Sequence, residues 1–184
     1  MIISETWVKK FLLDTCAGMN RAICEYAKEH YIRSIGSTAA ILMFDKKDIY
    51  FCNIGDSRIY QFSGKKLTQI SHDHSDSIVT DRKPPLTQSL GIPESEFVIA
   101  PYVARGLYED GDQYLICSDG LTDMIPEETI SEVISGSVTV LRSAEVLLQR
   151  ALESGGNDNI TIVLCTVRKQ RRRFSISQSM QNMR

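Results

Sequence analysis

Apolar residues recur with helical spacing along the first thirty positions of the chain. Between Ser4 and His30 they stand about one or two helical turns apart, at Val8, Phe11, Leu12, Met19, Ala22, Ile23 and Tyr26. This spacing predicts one long amphipathic helix that lies against a sheet, with Ser4 as its N-cap. Gly18, near the middle, is the weak point at which we expect the helix to bend.

Four segments with the length of β-strands follow this helix. They cover residues 39–44, 49–54, 58–62 and 66–70. Polar or glycine-containing turns separate them, such as Gly55-Asp56-Ser57 between the second and the third. Because strands joined by such short turns pair in antiparallel fashion, the sequence predicts a four-stranded meander.

The second half of the chain mixes strands with helices. Strands are predicted at residues 97–100, 114–117 and 160–167, with a turn at Gly111-Asp112 before the second of them. One helix begins near Leu121, and another covers residues 126–135. Ser143 is predicted to cap a last helix, whose apolar face consists of Ala144, Val146, Leu147, Leu148, Ala151 and Leu152.

Length, composition and charge limit the class of protein. The 184 residues suit one domain, and 42% hydrophobic with 24% charged residues is ordinary for a soluble globular protein. The net charge of −2 argues against general nucleic-acid binding. No apolar run reaches the ~18–20 residues of a membrane span, and no signal-peptide pattern begins the chain. Five scattered cysteines favour free thiols. We therefore expect a cytoplasmic protein with no membrane or nucleic-acid partner.

The composition changes at Arg168. Basic residues crowd positions 168–173, and Ser, Gln, Asn and Met follow them. We therefore predict a folded domain over residues 1–167 and a basic, disordered tail over residues 168–184. The run R-R-R-F-S at 171–175 places arginines before a serine, so a phosphorylation site and a plain solvated tail are both open.

Three aspartates stand in glycine-bearing loops at the ends of apolar strands. Asp56 lies in G-D-S-R, Asp119 in S-D-G and Asp158 in G-G-N-D-N. Asp123 follows Asp119 by four residues, so in a helix the two carboxylates share a face. Such a cluster suits hard cations such as Mg²⁺ or Mn²⁺. The alternative is that each aspartate only caps its own turn through bonds to the backbone. The number of aspartates favours a metal site.

Six short motifs extend over residues 4–167. They are G-S-T-A-A at 36–40, N-I-G-D-S-R-I-Y at 53–60, D-H-S at 73–75, L-T-Q-S-L-G at 86–91, L-I-C-S-D-G-L-T-D-M at 115–124 and G-G-N-D-N-I-T at 155–161. Together, and in this order, they resemble the metal-dependent protein phosphatases of the type 2C (PPM) family in their bacterial serine/threonine form. Each motif is weak alone, but the set is highly specific.

The resemblance implies an α+β fold, a four-layer α-β-β-α sandwich of two antiparallel sheets flanked by helices. It also implies two core Mg²⁺ or Mn²⁺ ions and, as in many members, a weaker third. By motif, Asp119 and Asp158 correspond to ligands of the core pair. Asp56, Asp119 and Asp123 correspond to ligands of the third ion.

The remaining motif residues have supporting roles in the family. Gly120 and Asn159 correspond to supporting residues beside the metal ligands, and Ser57 and Arg58 to residues that hold the turn of Asp56. The resemblance implies no catalytic side chain. A metal-activated water attacks phosphoserine or phosphothreonine directly, and no phosphoenzyme forms.

One part of the family pattern has no counterpart in this sequence. Family members begin with two strands that carry an acidic residue, a phosphate-contacting arginine and a D-G-x-G-G motif whose aspartate bridges both metals. We therefore expect the N-terminal strands to be missing and the phosphate-binding residue to belong to the missing segment. The chain is then a truncated enzyme, a fragment completed by another chain, or a catalytically dead module that binds or regulates a phosphoprotein.

The function implied by the resemblance is that of a protein serine/threonine phosphatase, a phosphoric monoester hydrolase. Its partners would be proteins phosphorylated by a serine/threonine kinase. For this chain we expect little or no activity, because catalysis through two metals needs both sites filled. A truncated enzyme is favoured over a dead module, because a dead module has little reason to retain all four aspartates.

Overall fold

The first element is the long helix that the sequence predicts. The structure, a computed structural model, describes residues 4–45, 48–76 and 84–168. Helix α1 spans Glu5–Glu29, and the Ser4 side chain accepts a hydrogen bond from the Trp7 amide at 3.2 Å. The helix runs through Gly18 without interruption. The predicted helix and its N-cap are therefore confirmed.

Seven strands and three further helices complete the described part of the chain. In chain order they are β1 Ala39–Phe44, β2 Asp48–Ile54, β3 Arg58–Ser63, β4 Lys66–Gln69, β5 Tyr102–Leu107, β6 Gln113–Cys117, α2 Asp119–Thr122, α3 Glu127–Gly136, α4 Val140–Glu153 and β7 Ile162–Thr166. All strand pairs are antiparallel. One sheet has the order β1-β2-β5, and the other has the order β4-β3-β6-β7.

The predicted four-stranded meander is wrong. Strands β2 and β3 do not pair, because both edges of β2 are taken by β1 and β5, and both edges of β3 by β4 and β6. The intervening turn carries the chain from one sheet to the other. At that turn Gly55 has a φ of +98°, and a Cβ there would lie 2.3 Å from the Thr38 side chain. Glycine permits this crossing, and the strand pattern alone does not reveal it.

Three apolar clusters hold four layers together. Val8, Leu12 and Cys16 of α1 pack on Tyr50 and Cys52 of β2. Between the sheets lies a small cluster of Ile49, Tyr108 and Tyr114. The largest cluster joins the outer face of the four-stranded sheet to the last helices; its members include Tyr60, Leu115, Leu121, Ile130 and Leu147. The order is therefore helix, sheet, sheet, helices, as the α-β-β-α prediction requires.

Two predictions in the second half of the chain need correction. Residues 97–100 form no strand; the turn at Pro93 accepts bonds from Glu96 and Phe97, and the strand begins only at Tyr102. The cap of α4 is Thr139, whose hydroxyl accepts from the Arg142 amide at 3.2 Å. Ser143 instead lies buried inside α4. Thr139 starts the helix one turn earlier because its hydroxyl satisfies an amide that the helix leaves open.

All five cysteines are free thiols, as the sequence predicts. Three of them, Cys16, Cys52 and Cys117, are buried. The Sγ atoms of Cys16 and Cys52 are 3.5 Å apart between α1 and β2. No helix of the described ranges combines the length and the apolar character needed to cross a membrane. Residues 169–184, with the arginine-serine run, and Asp81 lie outside the described residues.

Candidate functional site

The site begins where strand β6 ends. Asp119 is the first residue of α2, a single turn, and its Oδ1 accepts from the Gly120 amide at 2.8 Å. The Asp123 amide donates to the Asp119 carbonyl at 2.8 Å, which is the helical bond over four residues. Both side chains line a cavity of about 170 Å³. The predicted shared face of Asp119 and Asp123 is therefore present.

Asp56 reaches the same cavity from the turn that joins the two sheets. Its neighbour Ser57 forms a 2.7 Å hydrogen bond with the hydroxyl of Thr38, the residue that also packs over Gly55. This hydrogen bond fixes the turn to Thr38, the residue directly before β1. Asp56 lines the 170 Å³ cavity together with Asp119 and Asp123.

Asp158 belongs to the loop between α4 and β7. Its Oδ1 accepts from the Asn159 amide at 2.7 Å, so the carboxylate also caps its own turn. This loop comes very close to α2, because a Cβ on Gly120 would lie 2.4 Å from the Asn159 carbonyl oxygen. Asp158 borders a second cavity of about 540 Å³, and Asp56 and Asp119 border it as well.

The four carboxylates therefore meet at two neighbouring cavities. Asp56 and Asp119 border both, Asp123 borders only the smaller, and Asp158 borders only the larger. Within the described ranges, no three His, Cys, Asp or Glu side chains form a group that could hold a metal ion. Carboxylate oxygens are the ligands that Mg²⁺ and Mn²⁺ prefer, so the donor chemistry fits such ions. The described residues do not by themselves assemble a full ligand set.

A charged network borders the smaller cavity beside the carboxylates. Arg58 donates from both Nε and Nη2 to Asp73 Oδ2, each at 2.8 Å, and Gln69 donates to Asp73 Oδ1 at 2.7 Å. The Tyr60 hydroxyl donates to Glu127 at 2.9 Å, and burial raises the pKa of this hydroxyl. Arg58 therefore joins β3 to the segment after β4, next to the turn of Asp56.

Three residues that shape this region, Asp73, Asn53 and Ser118, have no role that the sequence pattern indicates. Asp73 appeared only as part of a motif, although it is the main partner of Arg58. Asn53 is buried and forms two bonds with the backbone of His72, which fix the segment after β4 beside β2. Ser118 binds the loop of Asp158. A polar residue inside an apolar strand, such as Asn53, was the one available signal.

Known proteins of similar sequence agree with the fold and with the motifs. A sequence model described as protein phosphatase 2C matches residues 3–154. The chain belongs to the protein phosphatase 2C family. A serine/threonine phosphatase, stp, of Listeria monocytogenes is 31% identical over 175 residues, which cover 87% of this chain and 67% of that relative. The protein phosphatase PhpP of Streptococcus pneumoniae is 28% identical over 165 residues, 82% of this chain and 66% of the relative.

Solved structures of the protein phosphatase 2C fold agree with the architecture. The S. agalactiae serine/threonine phosphatase matches with a TM-score of 0.78 and 25% identity, over 89% of this chain and 72% of that one. The catalytic domain of the serine/threonine phosphatase PstP, solved with 2 manganese ions, matches with a TM-score of 0.69 and 29% identity, over 80% and 66%. The predicted family and the predicted α+β sandwich are thereby confirmed.

Proposed function

We propose that this chain carries part of a Mg²⁺- or Mn²⁺-dependent protein serine/threonine phosphatase, with Asp56, Asp119, Asp123 and Asp158 as metal ligands. The observation that carries the proposal is the arrival of four carboxylates from three distant parts of the chain at two neighbouring cavities. Asp56 and Asp119 border both cavities, and Asp119 is the ligand that this proposal shares between the core pair and the third ion. Named relatives in the family are serine/threonine phosphatases.

Each carboxylate has a definite part in this proposal. With ions bound, Asp119 and Asp158 would supply oxygen ligands to the core pair, and Asp56, Asp119 and Asp123 would supply them to a third, weaker ion. Bound divalent ions make a coordinated water acidic and neutralise charge on phosphoryl oxygens. The chain supplies the anionic donors and keeps them apart on three separate loops. Gly120 and Asn159 support them by letting the loop of Asp158 approach α2.

The substrates in this proposal are phosphoserine and phosphothreonine proteins made by a partner serine/threonine kinase, in the cytoplasm. The phosphatase domain in this proposal is assigned to residues 1–167, and the basic sequence at residues 168–184 is left outside it.

The activity of this chain alone is proposed to be low. Catalysis through two metals requires complete ligand sets, whereas among the described residues no three His, Cys, Asp or Glu side chains form a group that could hold a metal ion. An in-frame upstream stretch that encodes D-G-x-G-G would show that the chain is a truncated enzyme. A stop codon directly upstream would favour the second candidate, a catalytically dead module that binds a phosphoprotein and retains the aspartates of its relatives.

Metal binding and turnover test the proposal together. Mn²⁺ is titrated into the chain by calorimetry, and a phosphothreonine peptide is assayed with Mn²⁺. We expect weak binding that Asp119→Asn abolishes, with turnover at or near the detection limit. Asp14→Asn, which changes an exposed aspartate on α1 paired with Lys10, is the matched control and should bind as the wild type does.

Three outcomes would change the proposal. Turnover that Asp119→Asn abolishes would eliminate the dead module. Mn²⁺ binding that survives Asp119→Asn would remove the proposed metal site. Tight binding of two Mn²⁺ ions per chain would contradict the low activity proposed for this chain.

A further inference from the structure

Ser118 lies between the end of β6 and the start of α2, beside the loop that carries Asp158. Its hydroxyl donates to the Asn159 carbonyl at 3.0 Å and accepts from the Thr161 amide at 2.9 Å. Its backbone amide donates to the Thr161 carbonyl at 3.1 Å. One small side chain thus bonds to both sides of Ile160, just after Asp158.

The position of the hydroxyl matters because the loop is pressed against α2. The Asn159 carbonyl that Ser118 binds is also the group that a Cβ on Gly120 would meet at 2.4 Å. Glycine leaves room for this carbonyl, and Ser118 supplies its hydrogen bond. Asp119 lies between Ser118 and Gly120, and Asp158 directly precedes Asn159. Both aspartates border the larger cavity.

We propose that Ser118 is a positioning residue that fixes the loop of Asp158 relative to Asp119. The expected effect of Ser118 on metal binding rests on the proposed function. The effect of Ser118 on the loop rests on the hydrogen bonds alone. A hydroxyl is needed because it both donates and accepts here. Alanine retains the backbone bond to Thr161 but loses both side-chain bonds, while threonine keeps a hydroxyl.

The alanine variant is expected to fold. The pairing of β6 with β7, including Cys117 with Ile162, does not use the Ser118 side chain. The loss should therefore be local: the Thr161 amide loses an acceptor, and the Asn159 carbonyl loses a donor. The equilibrium constant for local opening of this short segment should then rise about tenfold, which corresponds to the net free energy of one or two hydrogen bonds.

The test compares Ser118→Ala and Ser118→Thr with the wild type. Amide hydrogen exchange at Thr161 is followed by NMR, and Mn²⁺ affinity is measured by the electron paramagnetic resonance of free Mn²⁺. Ser37→Ala is the matched control, because Ser37 borders the same cavity while its hydroxyl donates to the neighbouring Thr38 carbonyl. Thermal unfolding is recorded for all four proteins.

In Ser118→Ala we expect exchange at Thr161 to rise about tenfold and Mn²⁺ affinity to fall about tenfold, as for residues that orient metal ligands. Ser118→Thr should restore both, and Ser37→Ala should change neither. Unchanged exchange at Thr161 in Ser118→Ala overturns the proposal. Equal Mn²⁺ affinity in the wild type and Ser118→Ala overturns the positioning role even if exchange rises.

The same data separate this proposal from the proposed function. If the wild type binds no Mn²⁺ at all, the metal function fails, and the exchange and chemical shifts of residues 158–161 still decide whether Ser118 fixes the loop. A general loss of stability would lower the unfolding temperature and raise exchange throughout the sheet. That outcome would make Ser118 a structural residue and overturn the local role.

Discussion

At the scale of single residues, the glycines and small polar side chains around the carboxylates carry most of the information. The aspartates themselves stand out in the sequence, yet their arrangement depends on a close approach of chain segments that only a residue without a Cβ permits. Gly55 and Gly120 leave space for Thr38 and for the Asn159 carbonyl. Removing that space should therefore disturb the site without touching any carboxylate.

Gly120→Ala should destabilise the protein by about 1–3 kcal/mol, because its Cβ would meet the Asn159 carbonyl oxygen at 2.4 Å and the backbone must shift. Urea unfolding measures the change. Gly18→Ala is the control: no atom lies within 4 Å of its Cβ, so alanine in the middle of α1 should stabilise by about 0.5–1 kcal/mol. Equal effects of the two substitutions would show that the contact at Gly120 is not tight.

Cys117, at the end of β6, predicts a dependence of stability on alkaline pH. Burial raises the pKa of its thiol to about 12. Because an unfolded thiol ionises near pH 8.5, the stabilisation is complete below that pH and is lost progressively as the pH rises toward 12. Between pH 8 and pH 10 this thiol alone should lower the free energy of unfolding by about 2 kcal/mol.

Urea unfolding of the wild type and Cys117→Ala at pH 8 and pH 10 measures this contribution. The alanine variant should lose about 2 kcal/mol less over this interval than the wild type. Identical pH dependence of Cys117→Ala and the wild type would contradict the assigned role of burial.

At the scale of elements, α1 shows what a periodic pattern predicts and what it omits. Its apolar stripe predicts the helix and its buried face. The same face contains Asn20, which is 1% exposed. Asn20 accepts from the amides of Gly91 and Ile92 and donates to the Ile92 carbonyl, at 2.7, 3.2 and 2.8 Å. The helix therefore anchors a loop distant in sequence.

Asn20→Ala should lower the free energy of unfolding by about 3 kcal/mol, because it leaves backbone groups of the loop without partners in a buried place. Urea unfolding gives the size of the effect, and amide exchange at Gly91 gives its location. Thr15→Ala is the control on α1, since the Thr15 hydroxyl bonds only within the helix to Phe11. A change in Asn20→Ala as small as in Thr15→Ala would show that water replaces these bonds.

At the scale of the whole molecule, three apolar clusters lie one behind another through four layers. The cluster between the sheets is the smallest, and it connects the α1 side to the side of α3 and α4. Trp7, the single tryptophan, is 53% exposed on α1 and reports on the layer farthest from α4. Leu147, fully buried on α4, belongs to the opposite side.

Leu147→Ala should destabilise the protein by about 2–5 kcal/mol, since it removes buried methyl groups from the largest cluster. If the layers unfold as one unit, Trp7 fluorescence and far-ultraviolet circular dichroism should shift together in urea. Leu148→Ala, at a position 41% exposed on the same helix, is the control and should cost much less. A fluorescence transition that stays at its wild-type midpoint would mean that α1 unfolds independently.

Local sequence patterns are enough to predict the long helix, most strands, the family and the aspartates of the candidate site. These follow from local periodicity, turn residues and contiguous motifs, which need no knowledge of distant contacts. The placement of β2 and β3 in different sheets is visible only in the fold, because it depends on which strands occupy their edges.

The fold also determines which side chains hold distant segments of the chain. Asn20, Ser118 and the Arg58–Asp73 pair act on segments far away in the chain, so no spacing in the sequence reveals them. Their roles arise because backbone and charged groups removed from water need partners, and the fold determines which partner is near.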